Sequence, residues 1–311
     1  MLDIEDIKRA HSTIRAFVHK TPILESEFLN NLSGAKLFFK CENLQKTGAF
    51  KARGATNAVL RIPRDKICNG VATHSSGNHG AALAWAANRS NMVAHIVVPK
   101  NTNQVKRDAI LNYGGEITEC AANLRSREET LDQLVNLTGS YYVPPYDDEE
   151  VISGQGTTAL EILEQVEDAD MAIIPVGGGG LLSGCLLGFS GSRVVTYGVE
   201  PEGADDAYRS LHSGKRIIDH SPVTICDGLR TTLGRRNFPI IRDFVKDILL
   251  VSDKEVVDAM YLLWTRLKII VEPSCATPLA GLLRNKSLFS GKRVVIVLTG
   301  GNVDLTDLPF K

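Results

Sequence analysis

Short runs of apolar residues alternate along this chain with longer segments whose apolar positions recur at helical spacing. Val93-Ala94-His95-Ile96-Val97-Val98-Pro99, Ala172-Ile173-Ile174-Pro175-Val176, Arg193-Val194-Val195-Thr196-Tyr197-Gly198-Val199 and Arg293-Val294-Val295-Ile296-Val297-Leu298 read as strands. Such near-continuous apolarity marks strands buried on both faces, as in parallel sheets covered by helices. Between them the pattern predicts helices over residues 80–88, 103–113, 126–138, 156–165 and 254–267. The alternation predicts an α/β chain of the doubly wound kind. In such sheets ligands bind beyond the carboxyl ends of strands, where helices begin. Four strand-to-loop junctions, at residues 73–80, 177–180, 200–206 and 299–302, are rich in small and polar residues and are expected to converge on one mouth.

The 311 residues suffice for two compact domains. Lys plus Arg number 35 and Asp plus Glu 36, a formal net charge of −1, so there is no bulk electrostatic reason to bind nucleic acid or an anionic membrane. Small molecules or copies of the chain itself are the expected partners. The start, Met1-Leu2-Asp3-Ile4-Glu5-Asp6, lacks the basic residues and apolar run of a secretory signal, and no apolar stretch nears the ~20 residues of a membrane span. Cys41, Cys68, Cys120, Cys185, Cys226 and Cys275 are scattered, with no C-x-x-C pair. That argues against a zinc site or a disulfide framework and for a cytoplasmic chain with reduced thiols.

Gly177-Gly178-Gly179-Gly180 follows a strand and precedes the helical Leu181-Leu182-Ser183-Gly184-Cys185-Leu186. Residues without Cβ let the backbone approach an anion, and N–H groups at a helix start suit a phosphate. No Lys-Ser/Thr follows, so this is not the nucleotide P-loop; a tight turn for close helix–sheet packing is the competing account. Ser75-Ser76-Gly77-Asn78-His79-Gly80 could grip a carboxylate, or simply cap a helix beginning at Ala81 through Ser or Asn. Lys51 lies between Phe50 and Ala52 at the start of a helical stretch. Desolvated there, its amine would be a nucleophile; exposed, it would be an ordinary surface lysine.

In combination these segments resemble the fold-type II pyridoxal-phosphate (PLP) enzymes, and within them the serine racemase and short serine/threonine dehydratase branch. The resemblance rests on Phe38-Phe39-Lys40-Cys41-Glu42, Lys46-Thr47-Gly48-Ala49-Phe50-Lys51-Ala52-Arg53-Gly54-Ala55, His74-Ser75-Ser76-Gly77-Asn78-His79-Gly80, Gly154-Gln155-Gly156-Thr157, Pro175-Val176-Gly177-Gly178-Gly179-Gly180-Leu181, Gly203-Ala204-Asp205-Asp206, Pro239-Ile240-Ile241-Arg242-Asp243 and Thr299-Gly300-Gly301-Asn302-Val303-Asp304, in family order over nearly the whole chain. It implies a fold like the tryptophan synthase β chain: two open, twisted, mostly parallel sheets flanked by helices. A larger domain would take residues 1–60 and 146–311, and a smaller mobile one residues 61–145.

The resemblance also implies roles. Lys51 would form the Schiff base with pyridoxal 5'-phosphate and take the Cα proton on one face, with Phe50 as its aromatic neighbour. Gly177, Gly178, Gly179, Gly180 and Leu181 would cradle the phosphate, Asn78 would bond the 3-hydroxyl, and Thr299 would face the pyridine nitrogen. Ser75, Ser76, Gly77, Asn78 and His79 would hold the substrate carboxylate, and Ser76 would stand on the opposite face of the substrate, as in racemases. Glu200, Ala204 and Asp206 match a divalent-cation site. Its all-oxygen ligands suit Mg²⁺, Mn²⁺ or Ca²⁺; the bland account is a solvated acidic loop in which Asp205 and Asp206 cap a helix.

Departures from the family pattern narrow the expectation. Ala49 replaces the usual Ser. Glu27, in Glu25-Ser26-Glu27-Phe28, stands where the animal racemase has a Ser in its ATP pocket, and its carboxylate would repel a triphosphate. Pro144-Pro145-Tyr146-Asp147-Asp148 looks like the dehydratase version of its loop. Arg127 either meets a substrate carboxylate, locks closure, or makes a surface salt bridge. The expected activity is dehydration of a small β-hydroxy amino acid, serine or threonine, to a 2-oxo acid and ammonia, with serine racemisation beside it, in a homodimer. Rival readings are a 3-hydroxyaspartate dehydratase, cysteine-synthase-like β-replacement and a non-catalytic phosphate-ligand-binding regulator.

Overall fold

The computed structural model describes residues 2–310 and, within those, not the side chains of Arg64, Ile67 and Cys68. Ten strands are formed among the described residues: β1 (Ile23–Leu24), β2 (Lys36–Cys41), β3 (Val71–Thr73), β4 (Ala94–Pro99), β5 (Gly115–Cys120), β6 (Tyr141–Tyr142), β7 (Met171–Pro175), β8 (Val195–Pro201), β9 (Asp247–Val251) and β10 (Arg293–Leu298). They make two sheets. One has six strands in the order β1-β2-β10-β7-β8-β9, and the other four in the order β5-β4-β3-β6. Every pairing is parallel except that of the edge strand β1 with β2.

β10 shows why the apolar runs fold as they do. Val294, Ile296 and Leu298 enter a core on one face of the six-stranded sheet, while Val295 and Val297 enter a second core on the other. Alternation on a strand buried on both sides needs apolar residues at every position. The first core is covered by α11 (Asp253–Leu262), α12 (Pro273–Arg284) and α13 (Lys286–Phe289), together with Leu29 of α2 (Glu27–Ser33). The second is covered by α1 (Ile4–Ile14), α7 (Glu149–Gln165), α8 (Gly180–Gly188) and α10 (Asn237–Phe244).

The four-stranded sheet carries α4 (Asn78–Arg89) and Ile110 of α5 (Gln104–Asn112) on one side and Leu131 of α6 (Leu124–Thr138) on the other. All its strands come from residues 71–142. Ala55, Ala58 and Val59 of α3 (Lys51–Leu60) pack into this smaller core. The helix that begins with Lys51 is therefore shared between the two sheets. α9 (Asp206–Ser213) follows the β8 loop.

Two helices depart furthest from the sequence pattern. α7 starts at Glu149, seven positions before the expected Gly156, because the Asp148 carboxylate accepts from the N–H groups of Glu150 and Val151. Its Gly154 and Gly156 are crossing points: a Cβ there would lie 2.6 Å from Gly54 Cα and 2.5 Å from Gly184 O. The expected 254–267 helix ends at Leu262 and finishes in a π-turn over Leu263–Leu267. Among the described residues no helix is long and apolar enough to cross a membrane. Cys41, Cys120, Cys185, Cys226 and Cys275 are free and buried, and Cys68 lies outside the described side chains.

Candidate active site

Lys51 opens α3 after a loop pinned to the end of β10. Phe50 N–H donates to Thr299 O at 3.0 Å, Gly301 N–H donates to Gly48 O at 3.0 Å, and Ala49 pairs with Gly300. Thr47 sits in the left-handed region at φ 60°, rare for a β-branched residue, and Asn302 Nδ2 holds its carbonyl at 2.8 Å. The fixed loop puts Lys51 Nζ 5.0 Å from the Phe50 ring centroid, and Nζ donates to Pro145 O at 2.6 Å. Burial lowers the amine to about 8, so an appreciable share is neutral and nucleophilic near neutrality. The surface-lysine account is thereby set aside.

The glycine loop leads into α8, whose N-cap is Gly179 at φ +90° with no side-chain cap, and every residue of α8 is buried. An uncapped, buried helix start leaves N–H groups for an anion. A Cβ on Gly178 would lie 2.2 Å from the Tyr146 ring, and one on Gly180 3.0 Å from Tyr146 O. The neighbours Pro145 and Tyr146 thus connect the Lys51 amine to the glycine loop. In sequence Tyr146 is only one residue of the loop over residues 144–148; its place against Gly178 and Gly180 depends on partners remote in the chain.

At residues 75–80 the structure corrects the capping expectation. The helix begins at Asn78 instead of Ala81, its N-cap is Gly77, and no Ser or Asn side chain caps it. The Asn78 amide is engaged elsewhere: Nδ2 donates to Glu272 Oε1 at 2.8 Å, and Oδ1 accepts from Asn302 Nδ2 at 2.8 Å. Ser75, Ser76 and Gly77 are half-buried on the cleft, and Thr299 is buried at the end of β10. His79 is buried with Nε2 3.2 Å from Val143 O. Burial, reinforced by the Lys51 charge, lowers it to about 3, so it is neutral at physiological pH.

Glu200 and Asp206 are both buried. Glu200 accepts from the N–H groups of Ala207 at 3.2 Å and Tyr208 at 2.8 Å, and Asp206 Oδ2 from Leu233 N–H at 2.8 Å. Asp206 Oδ1 has no partner among the described residues. Burial, then the Asp206 charge, pushes Glu200 well above the usual carboxylate range, and burial pushes Asp206 up to about 6. This is a buried pair, not a solvated acidic loop. Asp205 makes no side-chain cap at the start of α9; Glu200 takes that part. No group of three or more His, Cys, Asp or Glu side chains gathers around a metal position among the described residues. The two buried carboxylates offer oxygen donors only, the donor type that suits a hard cation. Gly234 N–H, next to Leu233, donates to Gly178 O at 3.0 Å, so this loop also reaches the glycine loop.

Three further groups were not anticipated. Glu272, the N-cap of α12, is buried against Gly300. Asn302 bridges Thr47 and Asn78. Behind α3, Arg53 is ion-paired at 2.7 Å with both Glu42 and Glu161, and Glu161 also pairs with Lys40 at 2.6 Å. Arg127 has a buried Nε without a partner among the described residues, and its charge acts on His74 at the head of the Ser75–His79 loop. Glu27 is exposed on the first turn of α2.

A family profile described as pyridoxal-phosphate dependent enzyme matches residues 14–300. The chain is 47% identical over 310 residues to the beta-hydroxyaspartate dehydratase of Paracoccus denitrificans (strain Pd 1222), covering 98% of each. It is 47% identical over 312 residues to the serine racemase of Dictyostelium discoideum, covering 98% of this chain and 96% of that one. The structure of maize serine racemase superposes with a TM-score of 0.95 at 42% identity, covering 98% of this chain and 94% of the other.

Proposed function

The chain belongs to the pyridoxal-phosphate dependent enzyme family, and we propose that within it the protein dehydrates serine or threonine to a 2-oxo acid and ammonia, with serine racemisation as companion or main activity. The observation that carries this is the desolvated Lys51 amine, held by Pro145 O beside the uncapped glycine loop. The residues present fit the cofactor. Lys51 would bind it covalently, the N–H groups of Gly177 to Leu181 would take its phosphate, Phe50 would flank it, Asn78 would meet its 3-hydroxyl and Thr299 its ring nitrogen. Bound there, pyridoxal phosphate supplies an electron sink for charge developing at Cα.

The chain's own groups do the rest. Ser75 to His79 hold the substrate carboxylate. Lys51 moves a proton at Cα on one face, and the Ser76 hydroxyl supplies the opposite face that racemisation requires. Thr299 is neutral and does not keep a proton on the ring nitrogen as a carboxylate would, which favours loss of the β-hydroxyl over transamination. The four-stranded unit closes over the site and excludes water. Glu200, the Ala204 carbonyl and Asp206 would hold a divalent cation, Mg²⁺, Mn²⁺ or Ca²⁺, whose charge would offset that of the buried pair.

A second reading, a 3-hydroxyaspartate dehydratase, is favoured by one feature: the Arg127 guanidinium, whose buried Nε has no partner among the described residues and whose charge acts on His74, suits a second substrate carboxylate. Rates on serine, threonine and threo-3-hydroxyaspartate, with chiral analysis of residual serine, separate the two. Higher kcat/KM on serine or threonine supports the first reading. A preference of tenfold or more for the dicarboxylate, abolished by Arg127→Met, supports the second.

A further inference from the structure

Asn78 belongs to the four-stranded unit, yet both ends of its amide are held by the six-stranded one. Asn302 Nδ2 donates to the Thr47 carbonyl at 2.8 Å and to Asn78 Oδ1 at 2.8 Å, and Asn78 Nδ2 donates to Glu272 Oε1 at 2.8 Å. The direction of this chain is set by chemistry. A backbone carbonyl only accepts, so Asn302 must turn its NH₂ to Thr47; the same NH₂ then meets Asn78 Oδ1, which leaves Asn78 Nδ2 for the carboxyl. Nδ2 has a second hydrogen, with no other acceptor among the described residues.

Two glycines make room for the chain. A Cβ on Gly300 would lie 2.5 Å from Glu272 Oε1 and 3.2 Å from Asn78 Nδ2, and a Cβ on Gly48 would lie 2.5 Å from Asn302 Oδ1. Glu272 is also fixed through its backbone, whose N–H donates to Gly300 O at 3.0 Å. Thr47 keeps its left-handed φ of 60° at the far end of the same chain, four residues before Lys51.

We propose that Glu272 is a positioning residue for the cofactor. With Asn302 it fixes the Asn78 amide so that its second N–H points at the ring oxygen, and it thereby ties the four-stranded unit to the reacting centre. This rests on the reading that pyridoxal phosphate binds at Lys51. The groups facing the Glu272 carboxyl are Asn78 of α4, Lys106 of α5, Asp227, the Asn302 N–H, and Cys275 of its own helix. Burial, then the Asp227 charge, pushes Glu272 up to about 8. Its ionisation therefore falls where the spectrum of a bound cofactor can report it.

The test uses the purified holoenzyme and measures cofactor affinity by reconstitution, together with the visible band between pH 6 and 9.5. Glu272→Ala should weaken pyridoxal phosphate about tenfold, the value of one buried hydrogen bond, and move the band. Glu272→Gln keeps the acceptor oxygen. It should retain affinity within about twofold and lose the spectral change near pH 8. Asn302→Ala, which leaves the α12 start intact, should weaken the cofactor in the same way as Glu272→Ala. Wild-type affinity and an unshifted band in Glu272→Ala, or a Gln variant no better than Ala, overturns the proposal alone. A wild-type chain that binds no pyridoxal phosphate overturns the proposal and the reading beneath it together.

Discussion

Lys106 of α5 is ion-paired with Asp227, joining the four-stranded unit to the six-stranded one by charge at the rim of the cleft. Their side chains are 30% and 40% exposed, so the pair is screened and contributes at most about 1 kcal/mol. A contact of that strength closes the cleft without locking it. Lys106→Met should raise KM for serine about two- to fivefold with kcat nearly unchanged. Raising salt should raise KM of the wild type and leave the variant flat, which steady-state kinetics at two ionic strengths would reveal.

Lys51→Ala should abolish the visible band of the bound cofactor and all turnover. The cofactor-free protein offers a second readout. The folded amine titrates at about 8 against an ordinary 10.5. Between those values the unfolded chain binds a proton that the folded chain does not, so wild-type stability rises with pH across that window. Lys51→Ala should lose this rise, measured as melting temperature from pH 8 to 10.5.

Ser76→Ala should lose racemisation by two orders of magnitude and retain dehydration of the L-enantiomer, because only inversion needs a group on the second face. Chiral chromatography of residual serine checks it. Equal loss of both activities would remove the two-face assignment.

β10 was legible in the sequence as a local pattern, apolar at every position; the Lys51, glycine-loop and Thr299 segments stood out as small residues around polar ones, but each alone left a bland alternative open, and their roles came from the resemblance of the segments taken together. What was not legible depends on distant partners. Glu272-Pro273 looks like an ordinary helix start, and nothing local says that its carboxyl is buried against Asn78, 194 positions away. The helix expected from Gly156 misses its first two turns, because the helices that Gly154 and Gly156 cross at Gly54 and Gly184 are remote in the chain. Arg53, in a stretch of small residues, gave no hint of its pairing with Glu161, 108 positions on.

That pairing yields the last prediction. Arg53 is fully buried and donates to Glu42 at 2.7 Å and to Glu161 at 2.7 and 2.8 Å, while Lys40 also holds Glu161. Burial alone would raise Glu161, but Arg53 and Lys40 bring it below its ordinary 4.5. In the wild type this carboxylate therefore stabilises the fold above pH 4.5 and loses that contribution as pH falls through its lowered value. Arg53→Met leaves Glu42 buried without a charged partner and Glu161 with Lys40 alone, and should cost about 3–5 kcal/mol at pH 7. Without the guanidinium, burial outweighs the remaining Lys40 charge and the Glu161 carboxyl rises above 4.5, so the sign reverses: the variant becomes less stable as pH rises from 5 to 7. Urea midpoints at pH 5 and pH 7 decide it. A variant deficit that is equal at both would mean that the cluster acts through packing and not through charge.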